Sequence, residues 1–328
     1  MKLKALPLIL LGCCVALSSC EKRTAKPQPK PSVELPIAYR ELAEWQVPPA
    51  PNGQGNGLQG IAVDDQGNVY VADAEGRRLV VYSPDGKLLR AIERDARHPK
   101  ILQRPFGLLF VGHDRLYVAD YDADQIQVFT TEGKFLFAWG REGKGRGQFR
   151  APVGIDQDRE GNIYVVEFYG MRVQKFTHEG KFLLTWGSEA PWGKPVPPEE
   201  LLYPSGLAVG PDGGIYVTDS GHDRIKVFDA KGRFLREWGA KGIKPGDLNA
   251  AGGITFDSQG RLHEADAANH RVQLFTTQGR FLGEWYLPNA GKLTVWSPAN
   301  LRPASAGLVY VSDVAENRIY KLAIQPGL

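Results

Sequence analysis

One motif recurs six times along this chain, and that recurrence limits what the chain can fold into. The copies are Asn68-Val-Tyr-Val-Ala-Asp73, Leu116-Tyr-Val-Ala-Asp120, Ile163-Tyr-Val-Val-Glu167, Ile215-Tyr-Val-Thr-Asp219, Leu262-His-Glu-Ala-Asp266 and Val309-Tyr-Val-Ser-Asp313. Their closing acidic residues are spaced 47, 47, 52, 47 and 47 residues apart. A short apolar run opened by glycine precedes each motif, as in Gly206-Leu207-Ala208-Val209. A third run follows, such as Arg224-Ile225-Lys226-Val227-Phe228, and a glycine turn leads to a fourth, such as Phe182-Leu183-Leu184-Thr185-Trp186. Short runs rich in Val, Ile, Tyr and Phe, cut by Gly, Asp and Asn, are strands joined by tight turns. Four antiparallel strands per copy and six copies predict an all-β, six-bladed β-propeller. A closed ring needs no capping repeats, whereas a solenoid does.

The sixth copy has strands near Asn300, Tyr310 and Ile319, and then the sequence stops. Its fourth strand is missing. Tyr39-Arg-Glu-Leu-Ala-Glu-Trp45 resembles a fourth strand such as Phe234-Leu-Arg-Glu-Trp238. The expectation is that this N-terminal strand completes the last blade, buries Leu42 and Trp45, and closes a domain spanning residues 37–328. Closure removes two sheet edges that would otherwise be open to pairing.

Several details resemble the NHL-repeat family. Asn269-His270-Arg271 is a close variant of its naming tripeptide, with Arg271 in place of leucine. Pro152-Val-Gly154 and Pro204-Ser-Gly206 match its repeat opening, and Trp139-Gly140 with Gly143, Gly145, Gly147 and Phe149 matches its inter-blade linker. The resemblance covers roughly residues 37–324 and implies the six-bladed ring. It leaves the activity open, because a fold hosts many functions.

The N-terminus reads as a targeting segment. Lys2 and Lys4 precede the apolar stretch Ala5–Leu17, which is shorter than the roughly 20 residues that span a bilayer. Leu17-Ser18-Ser19-Cys20 resembles a bacterial lipobox. Residues 1–19 are therefore expected to be a lipoprotein signal peptide. Cys20 is expected to be lipidated, and the Pro- and Lys-rich residues 20–36 to form an extended tether. This places the domain on the extracytoplasmic side of a bacterial envelope membrane, with the outer membrane slightly favoured over the inner. Cys13 and Cys14 fall in the signal, so no thiol remains for a disulfide, a metal site or a nucleophile. Without Lys2 and Lys4 the charges nearly cancel, 38 basic against 37 acidic, which disfavours a nucleic-acid partner.

The six copies also serve as an internal alignment. The acids Asp73, Asp120, Glu167, Asp219, Asp266 and Asp313 recur, as do Arg78, Arg172, Arg224, Arg271 and Arg318, with Gln125 the exception. Each pair brackets one loop, so a carboxylate capping loop N–H groups and a guanidinium explains them better than a metal ring. Amidating lyases that share this propeller hold metal with histidines around the channel. Here the histidines are scattered and share no column, so no metal or other cofactor is expected. No nucleophile elbow or phosphate loop is present either. The residue after the acid varies: Ala74, Tyr121, Phe168, Ser220, Ala267 and Val314. Blades two and three place aromatics there, and the longest connection follows blade three and carries Trp192. Basic residues including Arg104 and Arg150 share that face. Tyr121, Phe168, Tyr169 and Trp192, with Arg172 as a polar anchor if its acidic neighbour leaves it free, are the candidate ligand-binding residues. They suggest a non-catalytic recognition or scaffold module for a protein, peptide or glycan. The alternative is a hydrolase or lyase at the channel mouth. That mouth should be bordered by Gln59, Phe106, Val153, Ser205, Gly252 and Ala299, which include no acid or base.

Overall fold

The structure, a computed structural model, describes residues 37–51, 57–93, 100–188, 197–288, 300–303 and 307–325. The expected signal peptide, Cys20 and the tether, together with Trp192 and Ala299, lie outside these residues. The chain forms six four-stranded antiparallel sheets. In five of them the strands follow chain order. The first strands, Leu58–Val63, Pro105–Val111, Pro152–Gln157, Pro204–Val209, Ala251–Phe256 and Asn300–Pro303, meet one another around a central channel.

Burial follows radial position. The second strands are packed on both faces, and every residue of Val69–Asp73, Ile163–Glu167 and Ile215–Asp219 is buried. That is why they read as continuous apolar runs. The outermost strands splay apart and alternate, as in Phe135–Trp139. The core lies between blades. Tyr164, Val166, Val173 and Trp186 of blade three pack against Ile215, Val217 and Phe228 of blade four. Trp186 stands edge-on to Tyr164 at 6.1 Å and reaches Phe228 at 5.9 Å, which stitches one blade to the next.

The last blade is built from both ends of the chain. The N-terminal strand Ala38–Gln46 pairs antiparallel with Arg318–Gln325, which pairs with Leu308–Asp313 and then Asn300–Pro303. Trp45 is 8 % exposed and stacks on Tyr82 of blade one at 5.6 Å. Leu42 corrects the expectation, because it is 43 % exposed. The pairing register slips between Glu41 and Ala43, and a bulge there turns Leu42 outward.

The same strand is also fastened to blade five. Blade five carries His263 where the other blades carry tyrosine, and the ring is fully buried. His263 Nδ1 lies 2.7 Å from the Tyr39 hydroxyl and Nε2 lies 3.1 Å from Asp257. Arg261 Nε donates to the same Asp257 oxygen at 2.7 Å. The hydrogen bond of His263 leads the interactions that hold Asp257 down at about 2 against the cost of its burial. An ionised carboxylate only accepts, so Nε2 donates to it, and the neutral ring accepts the Tyr39 proton at Nδ1. Burial also pushes the His263 pKa down, consistent with a neutral ring. Gly283 leaves room for the incoming chain: a Cβ there would lie 2.1 Å from the Ile37 carbonyl oxygen.

Two outcomes follow from this closure. Deleting residues 37–47 should lower the melting temperature far more than deleting residues 21–32, because burial of Trp45 alone is worth roughly 1.5–3 kcal/mol; equal melting temperatures in calorimetry would refute this closure. His263 has a folded pKa below its unfolded value, so its contribution to stability is full above about 6.5 and is lost as pH falls below that. A His263→Phe variant should therefore melt lower than wild type at pH 7.5 and lose less stability on acidification to pH 5. Parallel pH profiles for the two proteins would contradict a buried neutral imidazole.

Candidate functional site

The face that carries the loops between second and third strands is organised by the recurring acids. Asp120 accepts the N–H groups of Gln103 at 2.7 Å and Arg104 at 2.9 Å, and so fixes the connection that enters blade two. Glu167 and Asp266 hold Arg150 N and Asn249 N in the same way, at 2.8 and 2.7 Å. The paired arginines complete the clamp: Arg78 Nε meets Asp73 at 2.8 Å and Arg271 Nε meets Asp266 at 2.7 Å. Blade two has Gln125 instead of arginine, and there burial pushes the Asp120 carboxyl up to about 6. Arg318 of blade six turns to Glu44 of the N-terminal strand, at 2.5 Å. Among the described residues no group of His, Cys, Asp and Glu is arranged to hold a metal ion.

The condition set for Arg172 is not met. Its Nε donates to Glu167 at 2.6 Å, Nη1 to the Lys144 carbonyl at 2.6 Å and Nη2 to the Gln148 carbonyl at 2.7 Å. The guanidinium is consumed by the loop it closes and is no ligand anchor.

The first strands enter the channel through bulges. Pairing skips a residue between Pro152 and Gly154 and between Pro204 and Gly206, and two residues between Pro105 and Leu108 and between Ala251 and Ile254. A bulge re-aims its side chain, so Phe106, Val153 and Ser205 point to the mouth. Below them the strands approach closely. A Cβ at Gly107 would lie 2.4 Å from the Val153 carbonyl oxygen. The space there is about 20 Å³, room for about one water molecule. The mouth is therefore a cup with a narrow floor.

The cup has a volume of about 200 Å³. Phe106, Tyr121 and Phe168 form one wall with Arg104; Gln59, Val153, Ser205 and Gly253 complete it. The variable aromatic column and the channel-mouth residues, derived separately from sequence, thus border one cavity. Tyr121 stacks on Phe106 at 4.8 Å, and the Arg104 guanidinium lies 5.3 Å from the Tyr121 ring centre. Phe168 stacks on Tyr203 at 5.2 Å, and Tyr169 meets both Tyr121 and Phe168 edge-on. Tyr169 is 47 % exposed, while Phe168 and Tyr121 also pack against the core between blades three and four. Burial, followed by the neighbouring Tyr169, pushes the Tyr121 pKa up, so its hydroxyl is a donor at neutral pH.

The opposite wall is polar. Ser205 Oγ bonds Ser220 Oγ at 2.6 Å and the Ala251 carbonyl at 2.7 Å, and Thr218 donates to the Gly252 carbonyl at 2.8 Å. Glu264, on the second strand of blade five, is fully buried, does not line the cup, and has neither carboxyl oxygen in a hydrogen bond of good geometry. The Gly252 amide is beside it, yet burial dominates and pushes its pKa well above the ordinary carboxylate range, with Asp266 adding to the rise. Sequence reasoning missed Tyr203 and Glu264. Nothing repetitive marks Tyr203. Glu264 had a signal, because it breaks a column that is otherwise Val71, Val118, Val165, Val217 and Val311.

This ring of six four-stranded blades around a central channel defines a six-bladed β-propeller. Comparison with family models agrees: NHL repeats match residues 56–82 and 201–228, and a 6-bladed beta-propeller model matches residues 100–186. The chain is a six-bladed β-propeller that carries NHL repeats at residues 56–82 and 201–228. No curated protein matches its sequence. Virginiamycin B lyase from Staphylococcus aureus is a similar solved structure, with 18 % identity, a TM-score of 0.59 and 88 % of each chain covered. A gluconolactonase from Xanthomonas campestris has 18 % identity and a TM-score of 0.61, over 83 % of this chain and 87 % of that one. A protein of unknown function from Bacteroides thetaiotaomicron has 13 % identity and a TM-score of 0.64, over 88 % and 76 %. At these identities the likeness is one of fold.

Proposed function

We propose that this propeller is a non-catalytic recognition module that takes a ligand group into the cup on its loop face. The observation that carries this reading is the aromatic wall of Phe106, Tyr121 and Phe168, extended by the exposed Tyr169, around a rigid cavity with one cationic side chain. Rigid aromatic surface with a polar handle is what interfaces use as anchors. The ligand is a protein, peptide or glycan, and the module needs no cofactor and reads no nucleic acid. A second reading, an active site at the same mouth, is favoured by the buried acid Glu264 and by the lyase and gluconolactonase among the similar structures. The test uses the full chain to capture envelope components, with Tyr121→Ala/Tyr169→Ala as the control variant. Capture should fall by about 30-fold or more at an unchanged melting temperature. Capture that survives in the folded variant would move the site elsewhere. Turnover of a lactone by wild type, lost in Glu264→Gln, would replace the recognition reading by the enzymatic one.

We also propose that the chain is a lipoprotein, held at an envelope membrane through Cys20. Lys2, Lys4, the Ala5–Leu17 stretch and Ser18-Ser19-Cys20 support this. Cys20→Ala should abolish incorporation of labelled palmitate; equal labelling of wild type and variant would rule out the lipid.

A further inference from the structure

The cup offers a ligand two unlike sides. On one side Phe106 stacks on Tyr121 at 4.8 Å, Tyr121 reaches Phe168 at 6.5 Å and Phe168 stacks on Tyr203 at 5.2 Å. These rings pack on one another. A guest ring held between two of them would need centres about 7 Å apart or more, two contacts of roughly 3.5 Å each. No neighbours in the row leave that gap, so a ligand meets the aromatic surface from one side only. The other side is formed by Ser205 and Gly253 of blades four and five, and blade one adds Gln59. Gln59 is half-buried, and its backbone carbonyl accepts from Ser312 at 2.8 Å. Its side-chain carboxamide lines the cup with no hydrogen-bond partner among the described residues.

Charge does not select the ligand. Arg104 is the one charged residue that borders the cup. It is already paired with Glu75 at 2.6 Å, and its guanidinium lies 5.9 Å and 5.3 Å from the ring centres of Phe106 and Tyr121. The side chain is built into the wall and its charge is balanced there. A ligand with a charge of its own would lose hydration in the cup and gain no free partner.

We propose that the cup takes one neutral pyranose ring of a glycan, with its C–H face against the aromatic row and its hydroxyl rim toward the Gln59 carboxamide and Ser205. This rests on the recognition reading above and names its ligand class. A sugar ring is two-sided as the cup is, with an apolar face of C–H groups and a rim of hydroxyls. Aromatic surface suits the first. A carboxamide both donates and accepts, as a hydroxyl does, and so suits the second. Ser205 Oγ lies 2.7 Å from the Ala251 carbonyl, to which it donates, and so keeps acceptor capacity for a ligand hydroxyl. A purely apolar peptide side chain would cover the Gln59 amide without matching it, which costs affinity. The volume of about 200 Å³ is small for a drug-sized ligand and suits a single ring. The floor, with space for about one water molecule, stops that ring at the mouth.

The test titrates the full chain with the methyl glycosides of glucose and galactose, with their uronic-acid counterparts and with N-acetyltyrosinamide, followed by ligand-observed NMR. Wild type should bind at least one neutral glycoside, and its uronic-acid counterpart no more tightly. Gln59→Leu removes the carboxamide and keeps the bulk. It should weaken that glycoside about fivefold or more, the loss of one hydrogen bond, at an unchanged melting temperature. Tighter binding of the uronic acid would overturn the neutral class. Preference for N-acetyltyrosinamide over every glycoside would make the cup a peptide site and overturn the glycan assignment. Unchanged glycoside binding by a folded Gln59→Leu would overturn the arrangement proposed for the hydroxyl rim. If no glycoside binds while the full chain still captures an envelope protein through Tyr121 and Tyr169, the glycan assignment falls and the recognition reading stands. If capture also fails, both fall.

Discussion

The carboxylate that closes each second strand is the contact on which the upper half of the molecule depends. A strand end leaves backbone groups unpaired, and a connection of many residues has to cross above it. The acid resolves both problems by accepting N–H groups from its own loop and from the incoming connection. Asp120 does this for Gln103, Arg104 and Ala123, and Asp266 for Asn249. The charge is buried, which is costly, and the adjoining arginine and the N–H groups offset the cost. The loops are consequently fixed in place relative to the sheets, and side chains on them face the axis as a rigid set.

Much of this was legible in the sequence because the repeat is an alignment within one chain. Strand number, blade number and closure follow from periodicity and from the missing sixth fourth strand. Leu42 was not legible, because a bulge moves one side chain without changing the pattern around it. Arg172 looked available as an anchor and is not, since the carbonyls of Lys144 and Gln148 that occupy it belong to a loop whose path no pattern reveals. The cup was half visible: Tyr121 and Phe168 stood out by column and Phe106 by position, but only the aim of the bulges puts them around one space. Tyr203 precedes a recurring proline or alanine and carries no mark at all.

The sites where the repeat breaks its own rules separate into two kinds. His263 departs from tyrosine and finds full compensation in Tyr39 and Asp257, so it is a joint between blade five and the N-terminal strand. Glu264 is the next residue and departs from valine, with the Gly252 amide beside it but neither carboxyl oxygen in a hydrogen bond of good geometry. Local consistency across levels is what makes a sequence foldable, and uncompensated exceptions gather where function is placed. Blade five thus departs from the repeat twice in succession, and the first departure fastens the N-terminal strand.

Closing the last sheet with the first strand has a kinetic consequence. The pair Ala38 and Gln325 joins the two ends of the domain, so the contact that completes the ring is also among the most distant along the chain. During synthesis the early blades have their neighbours at hand, while the opening strand stays unpaired until the final residues are made. The entropic cost of joining such remote segments grows only slowly with length, but contacts of this range slow folding strongly. Closing the ring therefore depends on a long-range docking step, and until it occurs the Arg318–Gln325 edge of the last blade is open.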